Sequence, residues 1–400
     1  MATLYLHVGM PKTGTTSLQQ FLVKNQPALE EQGACYPDFS DIFARCPRAR
    51  NARFICRRKS DKADKARALE RIKVLAQTHE RVILSDEYLW KRRVWDPTFW
   101  DEFKNDVGGI DDIRIVVYLR RQDLYLYSWW AQCVKIQSAC EQRSFADYVE
   151  ETDILESPML DYAGALDVAA AAIGRENVLV RVFDKPSLEA AGGIVADFLS
   201  TVGLEENGGY ESTGKAYANP SLKDSVLETK RLLNRNRGFH TRAAKRARDP
   251  YTNVLLSVQD DLMAEGLLGQ RTGFSSELRG EILERFRESN ERVAREYLGR
   301  EDGILFAGDA ADDADDAEAL RGFTVDEIAD VCGRVIVKRE HERKKLEEKR
   351  NAQVGRLQEK VAELEERNSE LEERNRELED CLERKFARRV KRLADRLLRR

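Results

Sequence analysis

A short glycine-framed turn near the start of the chain constrains its fold more than any other stretch. The turn GMPKTGTTSL, residues 9–18, follows the apolar run LYLHV and leads into a helical pattern that begins near Thr15. The first backbone N–H groups of a helix lack partners, and the helix dipole adds positive potential at that end. A strand, a glycine turn and a helix N-terminus in this order therefore predict an anion-binding loop.

Short apolar runs alternate with helical periodicity from Leu4 to about Phe306. Four runs are apolar on both faces, which is typical of buried parallel strands covered by helices: LYLHV (4–8), RVILS (81–85), IRIVVYL (113–119) and NVLVRVF (177–183). An apolar share of 42% is enough for such a core. We therefore predict an α/β domain over residues 1–306. Its expected fold is a P-loop-like three-layer fold, with a central parallel sheet to about residue 205 and a helical cap over 206–306.

The C-terminal part of the chain follows different patterns. Acids among alanines in GDAADDADDAE predict an acidic flexible linker over 307–325, because too few large apolar residues are present to form a core. Over 326–382 a heptad register predicts a helix and a parallel two-stranded coiled coil, with Val354, Val361, Asn368, Asn375 and Leu382 at a and Leu357, Leu364, Leu371 and Leu378 at d. A lone solvated helix is the alternative, and it would have only a narrow apolar seam to bury.

The last segment, residues 383–400, has the pattern of a basic amphipathic helix. It carries nine basic residues and two acids, with one apolar stripe of Phe386, Val390, Leu393 and Leu397. Three interpretations stay open: an anchor on an anionic membrane surface, a docking helix for an acidic partner, and a solvated end of the coil.

Charge and cysteine usage bear on the class of protein. The net charge is only -4, which gives no sign of a nucleic-acid binder. The start of the chain has no signal-peptide pattern, and no stretch approaches a membrane-spanning length, so we expect a cytoplasmic protein. The seven cysteines form no CxxC pair and only four histidines occur, which indicates reduced thiols and no metal site.

The loop keeps part of the nucleotide-triphosphatase pattern GxxxxGK[ST]. Gly9 and Gly14 keep the frame, but Thr15 occupies the position of the usual lysine, and Lys12 lies in mid-loop. Four hydroxyls surround the expected anion site, enough to hydrogen-bond one phosphate: Thr13, Thr15, Thr16 and Ser17. An ordinary strand-to-helix turn capped by threonines is the alternative, but capping needs neither the lysine nor two glycines.

These residues resemble a known family. The run PKTGTTSLQ, residues 11–19, resembles the 5'-phosphosulfate-binding loop of sulfotransferases that use 3'-phosphoadenosine 5'-phosphosulfate (PAPS). Arg120 and Ser128, which follow the strand IRIVVYL, resemble the family's 3'-phosphate-binding arginine and serine. The resemblance covers roughly residues 1–306. It implies PAPS as donor, PAP as product and no metal.

The spacing of the second motif is physically sensible. Arg120 offers a forked donor at the carboxyl end of its strand, and Ser128 lies about two turns into the next helix, within reach of the same phosphate. Both belong to the sheet edge at which α/β proteins place ligands. Arg121 competes with Arg120, because the register could be off by one.

Sulfuryl transfer needs a group that meets charge on the leaving oxygen and a base for the acceptor hydroxyl. By analogy with phosphoryl transfer, Lys12 is expected to clamp the bridging oxygen. Asp86 and Glu87 follow the strand RVILS, and glycan sulfotransferases that resemble this chain use a glutamate there, so Glu87 is the better match for the base. A helix-capping acidic pair is the alternative, and His7 is a weaker candidate base.

The sequence thus favours a PAPS-dependent sulfotransferase acting on a hydroxyl of a carbohydrate, such as a polysaccharide or glycolipid. Two alternatives remain: a P-loop kinase or ATPase, since VILSDE also looks like a magnesium-holding strand, and a dimeric nucleotide-binding scaffold without catalysis. The expected partners are a glycan or glycolipid acceptor and a second copy bound through the coil. The inner surface of a membrane is a further partner if the basic tail is an anchor. No nucleic acid is expected.

Overall fold

The computed structural model describes residues 2–43, 47–56, 61–110, 112–136, 138–206, 209–212, 221–235, 251–269, 275–306 and 322–397. The chain divides into two compact units, Met1–Val331 and Cys332–Arg400. The first unit contains the sheet and the predicted site, and most of the second is one long helix. The acidic linker predicted over 307–325 lies outside the described residues as far as 321.

A five-stranded parallel sheet forms the centre of the first unit. Its strands are β1 (Thr3–His7), β2 (Ala34–Cys35), β3 (Arg81–Ser85), β4 (Asp112–Leu119) and β5 (Val178–Val182), in the order β2-β3-β1-β4-β5. The four predicted strands are confirmed to within one residue at each end. The sequence did not indicate β2, because two residues are too few to show a periodicity.

Helices surround this sheet and continue beyond it. In chain order they are α1 (Thr15–Lys24), α2 (Gln26–Glu31), α3 (Lys62–Thr78), α4 (Glu87–Arg92), α5 (Pro97–Asp106), α6 (Gln122–Lys135), α7 (Phe145–Glu150), α8 (Tyr162–Ile173), α9 (Lys185–Ala190), α10 (Ile194–Thr201), α11 (Asp224–Leu233), α12 (Thr252–Ala264), α13 (Ser276–Leu298) and α14 (Val325–Leu397). Three short 3-10 segments add to them: Arg48–Phe54, Asp153–Glu156 and Arg175–Asn177. The mixed α/β class predicted from the sequence is confirmed, and the described part of 206–306 is mainly helical.

The core explains why the turn after β1 is held firmly. Leu18 and Leu22 of α1 are fully buried, and Phe21 is nearly so. They pack in one apolar cluster with residues of the central strands, such as Ile83 and Val116. Burying side chains of this size contributes roughly 1.5–3 kcal/mol each. The helix that starts at the loop is therefore fixed to the sheet along its length.

Registers within the sheet bring four strand ends together. His7 pairs with Ser85 of β3 and with Val116 of β4. Strand β4 continues three residues further, to Leu119, which lies opposite Val182 of β5. The residues that follow β1, β3, β4 and β5 therefore share one edge of the sheet.

The second unit exposes its apolar heptad positions. Leu357, Leu364, Leu371 and Leu378 of α14 are each more than half exposed. A helix is confirmed there, and the coiled coil stays a prediction. The helix runs into the basic tail as far as Leu397. None of the helices in the described part of the chain is both long and apolar enough to cross a membrane.

Candidate functional site

The loop between β1 and α1 holds a lysine in an uncommon backbone conformation. Gly9, Lys12 and Gly14 all have positive φ, at 34°, 69° and 71°. A Cβ on Gly14 would come within 2.9 Å of Ile194 Cδ1, so close packing as well as φ calls for glycine there. The left-handed region costs a residue with a side chain about 1–2 kcal/mol. Strain of this kind is often found at functional sites.

The four loop hydroxyls do not share one direction. Thr13 is fully buried, and its hydroxyl donates to the backbone oxygen of Met10 at 2.6 Å. Thr15, Thr16 and Ser17 line an adjacent cavity, and the last two are exposed. The hydroxyl of Thr13 is therefore turned away from the predicted anion site, and the other three residues lie at the cavity.

A cavity of about 750 Å³ lies at this edge of the sheet. It gathers most of the residues singled out from the sequence, namely Lys12, Gly14, Thr15, Thr16, Ser17, Glu87, Arg120 and Ser128. Of the three non-glycine residues with positive φ in the described part of the chain, Lys12 and Asp224 both line it. Separate segments, far apart in sequence, thus converge on one concave surface, as ligand sites do.

The two adjacent arginines after β4 have different surroundings. Arg121 is buried and forms a two-pronged ion pair with the fully buried Asp123, at 2.8 and 3.0 Å. Arg120 lines the cavity and donates to the backbone oxygen of Lys12 at 2.9 Å. Within the described residues Arg120 has no carboxylate at ion-pair distance. Of the two, Arg120 is the one placed to bind an anion in the cavity.

The two adjacent carboxylates after β3 separate in the same way. Asp86 is fully buried, accepts two bonds from Arg50 at 2.9 and 2.8 Å, and caps α4 through the N–H of Tyr88. Glu87, the first residue of α4, lines the cavity and contacts Arg50 Nη1 at 3.0 Å. Asp86 therefore holds the strand end together, and Glu87 is the carboxylate that a bound molecule can reach.

The charges around the cavity favour an anion. Burial, and then the neighbouring Arg120, lower the pKa of Lys12, while Glu87 acts in the opposite direction. Burial also lowers the pKa of Arg120. Each shift means that a positive charge is held at some cost in a partly dry place. An anion bound between the two cations would relieve that cost.

His7 has a structural environment. It is fully buried at the end of β1, its Nδ1 lies 2.8 Å from Ser85 Oγ, and the ring of Phe198 meets it edge-on. Burial lowers the pKa of His7 to about 3, which keeps the imidazole neutral at ordinary pH. His7 does not line the cavity, so the structure gives it no path to a substrate.

Several residues of the cavity were not singled out from the sequence. Lys12 Nζ lies 3.5 Å from Gln132 Oε1, and Arg120 lies over the ring of Phe183. Gln132 follows Ser128 by one helical turn on α6, so helical periodicity could have indicated it. Tyr88, Trp129 and the segment 221–224 also line the cavity, and no comparable signal in the sequence indicated them. Within the described ranges no three His, Cys, Asp or Glu side chains gather as a metal-binding group.

Comparison with known proteins gives few matches. No protein-family model matches the chain. A protein of Archaeoglobus fulgidus described as "Uncharacterized protein" is 32% identical over 194 residues, which is 48% of this chain and 48% of that protein. The match therefore spans about half the length of that relative. The crystal structure of a sulfotransferase from Alicyclobacillus acidocaldarius is similar at a TM-score of 0.35 and 16% identity, over 53% of this chain and 85% of that one.

Proposed function

We propose that this protein transfers a sulfuryl group from PAPS to a hydroxyl group of a carbohydrate. The observation that carries the proposal is the convergence of Lys12, Arg120 and Glu87 on one cavity. Lys12 and Arg120, which have no carboxylate at ion-pair distance among the described residues, suit a donor with two separate anionic groups, and the carboxylate of Glu87 suits a base. The donor motifs resemble those of PAPS-dependent sulfotransferases, and the geometry is compatible with their roles.

The residues present fit a donor of this chemistry. The start of α1 offers backbone N–H groups and the hydroxyls of Thr16 and Ser17 for one phosphate-like group. Arg120 and Ser128 would hold the second phosphate from the end of β4 and from α6. When bound, PAPS supplies the sulfuryl group and a phosphate leaving group.

Lys12 and Glu87 have complementary roles in this proposal. The ammonium of Lys12 would stabilise negative charge on the oxygen that leaves, and its backbone is already fixed by the loop. Glu87 would accept the proton of the attacking hydroxyl. Both residues line the same cavity, so a molecule bound there can contact each of them.

The surroundings of Asp86 argue against the kinase alternative. A nucleotide-triphosphatase uses an acidic residue at the end of a strand to hold magnesium beside the loop. Here the aspartate at that position is fully buried, and both of its oxygens accept bonds from Arg50. Thr15 also replaces the loop lysine.

Ligand protection and product analysis test the proposal. PAP without metal should raise the melting temperature, and PAPS with a mixture of glycans should give products heavier by one sulfuryl group in a mass spectrum. Lys12→Met should lower transfer about a hundredfold or more. Lys104→Met is the matched control, since Lys104 donates to the backbone of Ala172, near the start of β5 at the far edge of the sheet. Protection by ATP with magnesium alone would refute the proposal.

The exposed heptad side of α14 suggests a second copy of the chain as partner. Its leucines, which include Leu364 and Leu371, are more than half exposed, and two such helices would bury them in a parallel coil. Sedimentation equilibrium should give a dimer that Leu364→Glu with Leu371→Glu converts to a monomer. A wild-type monomer at micromolar concentration would refute this arrangement.

The basic tail is proposed to contact an anionic membrane surface, which would bring the enzyme to a glycolipid acceptor. Binding to vesicles that contain anionic lipid should be lost when the chain is truncated at Glu383. Unchanged binding after truncation would rule out the tail as the contact.

A further inference from the structure

Four cations surround the two aromatic side chains that stand beside Glu87. Arg53 lies 3.9 Å from the centre of the Tyr88 ring, and Arg50 and Arg92 each lie 5.0 Å from it. Lys91 Nζ lies 3.9 Å from the ring of Trp129. Tyr88 and Trp129 both line the cavity. We call Arg50, Arg53, Lys91 and Arg92 the cationic rim.

From this rim we propose that the acceptor is an acidic saccharide, which carries a carboxylate, phosphate or sulfate group near the hydroxyl that is modified. The proposal rests on the proposed function, because it assigns the acceptor side of the same cavity. Lys12 and Arg120 line the donor side of the cavity. The four rim cations do not line the cavity themselves, and they contact Tyr88 and Trp129, which do.

The charge balance of the rim supports an anionic ligand. Its four cations face two carboxylates, Asp86 and Glu87, and Arg50 binds both of these. Arg53 reaches only Asp86, at 3.9 Å. Lys91 and Arg92 have no carboxylate at ion-pair distance within the described residues. Two positive charges are therefore left over beside the expected base, held by ring faces rather than by acids.

Helix geometry places this excess charge next to the base. Glu87 and Lys91 are four residues apart on α4, as are Tyr88 and Arg92, so each pair lies on one face of the helix. Such pairs have Cβ atoms about 5–6 Å apart. A sugar whose hydroxyl approaches Glu87 would therefore hold its neighbouring substituents close to Lys91.

The choice of a saccharide over another polyanion rests on the proposed function. Arg53 and Lys91 lie over the faces of Tyr88 and Trp129, 3.9 Å from the ring centres, so both cations are held beside the wall of the cavity. A neutral glycan would leave Lys91 and Arg92 without an anionic partner. An acidic glycan would pair with them, and long-range attraction would also speed its encounter with the site.

Binding measurements on the full chain with PAP present test the inference. The probes are uronate oligosaccharides, phosphorylated oligosaccharides and neutral oligosaccharides of equal length, with a single-stranded oligonucleotide of equal charge as a competitor. We expect one acidic probe to bind at least tenfold more tightly than the neutral one, and its affinity to fall as salt rises. The carboxylate and phosphate probes show which anionic group is preferred.

A double variant and its control locate the binding. Lys91→Gln with Arg92→Gln should weaken the acidic probe about tenfold or more, which is the loss expected for a charge-assisted contact, and should flatten its salt dependence. The control is Lys104→Gln with Arg175→Gln, which removes the same charge near the start of β5. The conservative variant Lys91→Arg keeps the positive charge and should therefore keep most of the wild-type affinity for the acidic probe. If the double variant does not fold, the exposed Arg92→Gln alone carries the test.

Several outcomes would overturn the inference. They are equal binding of neutral and acidic probes, no binding of any saccharide, equal binding of the oligonucleotide, and an unchanged affinity in the double variant. Acidic binding that depends on the rim, without transfer from PAPS, would instead refute the proposed function and leave the anionic site in place. The two proposals can therefore fail separately.

Discussion

The ends of β3 and β4 are each followed by two adjacent residues of like charge. In each pair one residue is buried and the other lines the cavity, but the order of the two is opposite. After β4 the first residue, Arg120, faces the cavity and the second, Arg121, is buried with Asp123. After β3 the first residue, Asp86, is buried with Arg50, and the second, Glu87, faces the cavity. In both places the buried residue fixes the strand end, and its neighbour lines the cavity.

This comparison shows that the sequence motif does not by itself assign the roles. The assignment depends on the opposite charge that packs nearby. At β3 that charge comes from the 3-10 segment Arg48–Phe54, and at β4 from the start of α6. Each pair of neighbours can therefore be tested by comparing loss of activity at one position with loss of stability at the other.

Of the two pairs, Asp86 and Glu87 should show the larger difference between loss of stability at one position and loss of activity at the other. Glu87→Gln should lower kcat/KM about 10²- to 10⁴-fold, because it removes the proposed base, and should leave the free energy of unfolding nearly unchanged. Asp86→Asn should lower that free energy by about 3 kcal/mol, because it breaks a buried ion pair. Transfer rates and denaturant unfolding measure the two effects. A stable Asp86→Asn protein without activity would reverse the assignment.

Arg120 and Arg121 should differ in the same way, with loss of stability at one position and loss of ligand binding at the other. Arg121→Gln should lower the free energy of unfolding by about 3 kcal/mol, since Asp123 is fully buried and, among the described residues, would keep only Arg279 as a cation, at 3.5 Å. Arg120→Gln should leave stability almost unchanged and weaken PAP binding roughly 10- to 100-fold. Calorimetric titration with PAP checks the second effect. Equal affinities for PAP in wild type and Arg120→Gln would contradict the placement of the phosphate.

Strand β1, which lies between β3 and β4, allows a test of stability without a test of activity, through the buried His7 at its end. In the folded state burial lowers the pKa of His7 to about 3, well below the usual value of about 6.5. The unfolded chain therefore binds this proton more readily, so the stability is fully present above pH 6.5 and is lost as pH falls toward 3. Between pH 6.5 and 5 the loss from this group should be about 2 kcal/mol.

His7→Asn should remove most of that slope, since the amide does not titrate and can still bond to Ser85. Tryptophan fluorescence is a suitable probe of unfolding, because all five tryptophans lie between residues 90 and 130. If His7→Asn loses stability with falling pH as steeply as the wild type does, the acid sensitivity belongs to other groups.

The smallest expected effect is a shift in a pH profile. In the proposed mechanism Lys12 acts in its protonated form, and its lowered pKa means that kcat/KM should fall as pH rises through that pKa. Arg120→Gln removes a like charge, so the pKa of Lys12 should rise and the alkaline limb should move to higher pH by less than about one unit. Ser128→Ala changes no charge and is the control. A limb that stays in place in Arg120→Gln would mean that another group controls it.

Much of the fold could be predicted from the sequence, because periodicity alone indicates buried strands. The four long strands and the loop after β1 could be predicted without knowing which residues meet in the folded chain. The gathering of Lys12, Glu87, Arg120 and Ser128 also followed from one rule, that carboxyl ends of parallel strands share an edge.

The finer features depended on tertiary contacts. Arg50 is distant in sequence from Asp86, and no pattern connects them. The inward turn of the Thr13 hydroxyl results from the backbone path through Lys12, which propensity would not favour for a lysine. The cationic rim was missed for the same reason, since Arg53 and Tyr88 meet only in the folded chain.

The left-handed backbone at Lys12 has a consequence for how this loop can change over evolutionary time. Glycine adopts a φ of 69° at lower energy than lysine does. A change from lysine to glycine at position 12 would therefore relieve backbone strain, but it would remove the side chain. If Lys12 acts as proposed, selection on activity and selection on stability oppose each other at this one position. Glycine at position 12 in a related chain would then mark a protein that has kept the fold and given up the transfer reaction.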